Sequence, residues 1–209
     1  VSPVSQFYDF YFSIHLISKQ FAMKNNLIGT MRVFYFGMVI FFISCCSRQP
    51  DTLFRLLSSE KTGVDFVNAI AETDSFNILT HEYIYNGGGV AIADFNNDGL
   101  SDIFFTGNEV PNKLYLNKGD MHFSDVTGQA NVNVNGRWNS GAVIADINND
   151  GWQDIYVCAT MKDDSKGRTN IVFLNKGVTE NGVPQFDEVA LQYGIADTGY
   201  SMMASFFDY

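Results

Sequence analysis

"IADFNNDGLSDIFF", residues 92–105, sets three aspartates and two asparagines between two apolar runs, and "IADINNDGWQDIYV", residues 144–157, repeats the arrangement 52 residues further on. In each copy an apolar run breaks at a cluster of Asp, Asn and Gly and then resumes. Turn residues between two runs rich in Ile, Val and Phe predict a hairpin of two strands.

The copies extend beyond these stretches. "GGGVAIADFNNDGLSDIFFTGN" (87–108) aligns with "NSGAVIADINNDGWQDIYVCAT" (139–160), and "KLYLNKG" (113–119) aligns with "IVFLNKG" (171–177). Further on, Phe123, Asp125 and Val126 match Phe186, Glu188 and Val189. The spacing widens only across "KDDSKG" and "VTENGVPQ", which have loop composition. That is how a structural repeat accommodates insertions. Each copy resolves into four short strands, at 89–93, 103–107, 114–117 and 122–126 in the first. No window beyond residue 50 sustains a helical period. The expected fold is all-β, a propeller with one four-stranded blade per repeat.

Blade one is expected over residues 88–138 and blade two over 139–199. A third opens at 200–209, where "MASFFDY" sets Asp208 against Asp94 and Asp146. The motif stops at Tyr209, so the sequence is expected to be part of a longer chain, with about two and a half blades present. Residues 46–87 form an N-terminal segment. Within it, "FRLLSSEKTGVDF" (54–66) resembles "FSDVTGQANVNV" (123–134) and "FDEVALQYGIAD" (186–197). Residues 52–57 are therefore expected to be a fourth strand that completes a blade elsewhere in the ring.

The acidic loop follows D-x-N-x-D-G-x-x-D. Side-chain oxygens come from Asp94, Asn96, Asp98 and Asp102 in one copy and from Asp146, Asn148, Asp150 and Asp154 in the other. Leu100 and Trp152 stand where a backbone carbonyl can join them. Gly99 and Gly151 sit where the chain must turn with positive φ. Oxygen-only ligands around a tight turn suit Ca²⁺ better than Mg²⁺, and the absence of Cys and His argues against Zn²⁺. Three carboxylates in nine residues repel one another, and a divalent cation reverses that sign. An EF-hand would need Glu at the twelfth position, which is Phe105 or Val157. The competing reading is an Asx-rich hairpin turn without metal.

These motifs resemble the FG-GAP/VCBS repeats of integrin-α-like β-propellers. More narrowly, "TGVDFVN", "FNILTHEYIYNGGGVAIADFNNDG" and "NKLYLNKG" resemble the N-terminal part of bacterial surface proteins that end in an ASPIC/UnbV domain and are related to cartilage acidic protein. The resemblance covers about residues 52–209. It implies a ring of about seven blades with structural Ca²⁺ in the loops between first and second strands.

Residues 51–209 carry 9 basic and 22 acidic side chains, a formal charge of −13, and no basic stripe. That composition speaks against nucleic-acid binding. Upstream, "MRVFYFGMVIFFISCCS" from Met31 has a short basic start and an apolar run too short for a permanent membrane helix, as in a secretory signal. "FISC" resembles a bacterial lipobox, with Ser44 before the cysteine but Phe42 in place of the usual Leu or Val. Residues 23–45 are thus read as a signal peptide with Cys45, or alternatively Cys46, as lipid acceptor. Residues 1–22 lie upstream of the candidate starts Met23 and Met31 and read as an over-extended reading frame.

The expectation is an exported lipoprotein of a Gram-negative outer membrane or cell surface, a scaffold for a protein or carbohydrate ligand. No catalytic constellation is visible: His81 and His122 are isolated, and the paired acids all fall in the acidic loops. The alternative is a polysaccharide-acting enzyme whose catalytic residues lie outside this sequence. Trp138 and Trp152 read as packing residues and Cys158 as a small buried one.

Overall fold

The structure is a computed structural model that describes residues 52–207; the signal, the lipid-acceptor cysteines and Asp208 lie outside them. The elements below belong to the unit Leu56–Tyr209. After one helical turn, α1 (Ser59–Thr62), come eight strands: β1 (Val90–Ala93), β2 (Asp102–Phe105), β3 (Lys113–Asn117), β4 (Phe123–Asp125), β5 (Trp138–Ala145), β6 (Asp154–Thr160), β7 (Ile171–Val178) and β8 (Pro184–Glu188). They make two antiparallel four-stranded sheets, β1-β2-β3-β4 and β5-β6-β7-β8. The fold is all-β, as the repeat predicts, and each sheet is one propeller blade.

The two sheets keep one register. Ala93 pairs with Asp102 and Ile92 with Ile103 in the first; Ala145 pairs with Asp154 and Ile144 with Ile155 in the second. A one-residue slip would move every core side chain to the opposite face, so the shared alternation fixes the pairing.

The core lies between the blades. Phe104, Leu114 and Leu116 of the first sheet meet Ile155, Val157, Ile171 and Phe173 of the second. The Phe104 and Phe173 rings meet edge to face, with centroids 6.2 Å apart. Thr106 at the end of β2 donates its hydroxyl to the Ser140 carbonyl at 2.7 Å, and Asn108 donates to the Asn139 carbonyl at 2.8 Å. These bonds tie the blades together where their inner strands approach.

A single coiled turn recurs three times. It ends in a left-handed residue at Gly63 (φ 76°), Asn131 (φ 60°) and Gly194 (φ 70°). The second copy places Ala130 and Val132 in the core between the sheets, and the third lays Ala190 and Ile195 on the outer face of the second sheet. Beyond the first copy, Phe66 stacks on Phe105 and Asp65 accepts the Tyr115 hydroxyl at 2.7 Å, which covers the free face of the first sheet.

Residues 52–57 form no strand. A strand satisfies its backbone groups through a neighbouring strand, and none of β1–β8 pairs with this segment. Among the described residues, no helix is long and apolar enough to cross a membrane.

Candidate functional site

The β1–β2 and β5–β6 connections are the acidic loops, and they are built alike. Asp94 accepts the backbone N–H of Asp98 at 3.1 Å and of Gly99 at 2.7 Å. Asp146 does the same for Asp150 at 3.0 Å and Gly151 at 2.8 Å. Asp98 and Asp150 each accept the N–H two residues on, from Leu100 and Trp152, at 2.9 Å. Asn96 and Asn148 donate their amides to Asp98 and Asp150 at 2.9 and 2.8 Å. The backbone follows suit: Asn97 and Asn149 have φ of 53° and 57°, and Gly99 and Gly151 have 86° and 87°. Nine residues with three differences in identity adopt one loop because the Asp, Asn and Gly positions dictate it.

The ninth positions behave differently. Asp102 and Asp154 are fully buried, the first residues of β2 and β6. Asp102 accepts the N–H of Phe95 at 2.9 Å and of Asn117 at 2.8 Å. Asp154 accepts the N–H of Ile147 at 2.8 Å and of Asn175 at 2.7 Å. Each carboxylate therefore fastens the acidic loop to the third strand of its blade. Burial pushes the Asp102 carboxyl up to about 6, against the pull of the two N–H donors and with help from Asp98 and Asp94. Burial raises Asp154 as well.

Asn117 and Asn175, of the repeated "LNKG", carry a part that the acidic motif did not announce. Besides offering its N–H to the buried aspartate, Asn117 donates its side-chain amide to the Ser101 carbonyl at 2.9 Å. Asn175 donates to the Phe95 carbonyl at 2.9 Å, from one blade into the loop of the other. Asn97 also reaches across, to the Gly151 carbonyl at 3.3 Å. The signal for these residues was the repetition of LNKG itself.

The loops thus bring Asp94, Asn96 and Asp98, with Leu100, around one turn, and Asp146, Asn148 and Asp150, with Trp152, around the other. The donor chemistry is hard oxygen throughout, which fits a hard cation. Carboxylate oxygens that accept one amide keep a further lone pair. Among the described residues, no three or more His, Cys, Asp or Glu side chains are gathered as a metal-binding group. The turn exposes the aspartates at positions one and five, and the buried ninth aspartate lies close enough behind them to feel their charge.

Trp138 is buried against Phe76, and the Trp152 ring lies over Gly177, so both tryptophans pack. Cys158 is buried with a raised thiol pKa. His122 is exposed, beside the Lys61 carbonyl at 3.2 Å.

The two four-stranded blades are those of a partial β-propeller, and residues 94–157 match the FG-GAP-like repeat family. Over 72 residues the chain is similar to cartilage acidic protein 1 of Xenopus tropicalis, 39% identical, and of Homo sapiens, 38% identical. The matched stretch is 34% of this chain and 11% of each relative, so the chain spans only a small part of the length of these curated relatives.

Proposed function

We propose that this chain is part of an exported, surface-anchored β-propeller that serves as a binding scaffold for a protein or glycan ligand, with its blades stiffened by Ca²⁺. The observation that carries this reading is the identity of the two acidic loops in hydrogen bonding and in φ. A turn with no task beyond reversing the chain tolerates many sequences; this one keeps every oxygen-bearing position.

Asp94, Asn96, Asp98 and the Leu100 carbonyl, with Asp102 behind them, would hold one ion, and Asp146, Asn148, Asp150 and the Trp152 carbonyl, with Asp154 behind them, the other. A bound divalent cation supplies the positive charge that offsets repulsion between the aspartates. Asp102 and Asp154 sit behind the turn and hold it against β3 and β7. Outside the cell, sites of about 10⁻⁴ to 10⁻³ M suffice for occupancy. Occupancy then stabilises the folded blade by mass action.

Thermal unfolding of the full-length protein with and without a chelator tests the reading. A midpoint raised by Ca²⁺ but not by Mg²⁺ supports it. An unchanged midpoint removes the structural ion.

A further inference from the structure

At the opposite end of β6 from its acidic loop, a cavity of about 430 Å³ opens between residues 81–83, the β6–β7 connection and residues 200–202. Its volume is in the range of ligand pockets. Its walls combine the rings of Tyr83 and Tyr200 with the Met202 thioether, His81, and the acids Glu82 and Asp163; no lysine or arginine lines it. Both tyrosines are more than half exposed, Tyr200 with one face covered by Arg168 and the rest of its ring open. Among the described residues, neither Glu82 nor Asp163 forms an ion pair.

The rim around this cavity already seats cations on rings. Arg168 lies 4.5 Å from the Tyr200 ring, and the Lys162 ammonium lies 5.7 Å from the ring of Phe76 and 5.8 Å from that of Trp138. The Arg168 head is committed to the fold. It donates to the carbonyls of Lys162 and Asp163 at 2.6 Å and of Thr198 at 3.1 Å. It thereby pins the β6–β7 connection to the segment that carries Tyr200, which holds Asp163 and Tyr200 in place as two sides of the cavity.

We propose that this cavity binds a lysine or arginine side chain presented by a partner protein; the inference rests on the reading of the chain as a binding scaffold and names the chemistry of its ligand. Two unpaired carboxylates supply charge complementarity, the Tyr83 face attracts a cation, and the thioether and the remaining ring surface of Tyr200 cover its aliphatic stem. The −13 charge of residues 51–209 draws such a partner in from a distance.

The test uses full-length protein labelled at methionine methyls, so that Met202 reports on the cavity. The probes are the peptide acetyl-Gly-Arg-Gly-amide, its citrulline analogue, which is nearly isosteric and uncharged, and chitotriose as a neutral glycan. The arginine peptide is expected to shift the Met202 methyl saturably, with the citrulline peptide about tenfold weaker or worse. Glu82→Gln with Asp163→Asn is expected to weaken the arginine peptide about tenfold. Glu180→Gln with Asp187→Asn, which removes the same charge elsewhere on the exposed surface, is expected to leave it unchanged. Equal loss in both pairs, or no shift with the arginine peptide, overturns the proposal. So does chitotriose binding that ignores Glu82 and Asp163, which would assign the cavity to a glycan. The Ca²⁺ response of the same samples is read separately: a full response with no arginine binding overturns the cavity assignment alone.

Discussion

Asp154 accepts the backbone N–H of Asn175 at 2.7 Å, from the first residue of β6 to the fifth of β7. The same carboxylate holds the N–H of Ile147 in the acidic loop, and Asp102 repeats both bonds in the first blade. Replacing either aspartate with alanine leaves two N–H donors without their acceptor. At about 1–3 kcal/mol per orphaned donor, Asp102→Ala and Asp154→Ala should each lose about 2–6 kcal/mol. Guanidinium unfolding in chelator reads this directly. Asp98→Ala, on the exposed turn, should cost less under the same conditions; a larger loss there would mean that the ninth position is not the anchor.

The raised Asp102 carboxyl gives a pH dependence of defined sign. Its folded value of about 6 lies above the ordinary aspartate value of about 3.9. Between those values the folded state keeps a proton that the unfolded state has released, so the contribution of this group to stability is greatest at low pH and is lost as pH rises to about 6. In chelator, the stability of the wild type relative to Asp102→Asn should therefore fall from about pH 4 to about pH 6 and then level. A relative stability that rises over that interval contradicts the assignment.

Gly99 and Gly151 test the backbone of the loop apart from its charges. Each has positive φ, and a Cβ added there meets nothing within 4 Å. Gly99→Ala and Gly151→Ala should then cost only the left-handed penalty, about 1–2 kcal/mol. Gly88→Ala is the contrast: its φ is not in that region, but its Cβ would lie 2.2 Å from the Thr106 carbonyl. Equal, negligible costs at all three would mean that the loops are pliable.

Asp98 and Asp150 carry the central acids of the turns. Asp98→Ala and Asp150→Ala should each remove part of the Ca²⁺-dependent rise in unfolding midpoint, and the double variant should remove most of it. Calorimetric titration should show the corresponding loss of one site per substitution.

The strands were legible because each apolar run is short, rich in β-branched and aromatic residues, and bounded by Asp, Asn or Gly. Two copies in one register left a single pairing that buries Phe104 and Phe173 together. The acidic turn was legible for the same reason. Its division of labour was not. Spacing puts Asp102 with Asp94 and Asp98; the fold also buries it and has it accept the N–H of Asn117, a contact 15 residues distant in sequence. Residues 52–57 resemble a fourth strand in sequence, and the blade they are expected to complete is neither of the two sheets described, so no pairing partner for them is among β1–β8. The cavity beside Tyr83 and Tyr200 was invisible in the chain, since its walls come from three separate segments spread between His81 and Met202.

The most direct measurement of the central claim is the thermal midpoint of the full-length protein across a Ca²⁺ titration, after exhaustive chelation and with Mg²⁺ as the control ion. A saturable rise with Ca²⁺, absent in Asp98→Ala with Asp150→Ala, is the result that paired calcium loops predict. A midpoint that Ca²⁺ leaves unmoved, in a wild type shown to be folded in chelator, would contradict them and leave two metal-free Asx turns in their place.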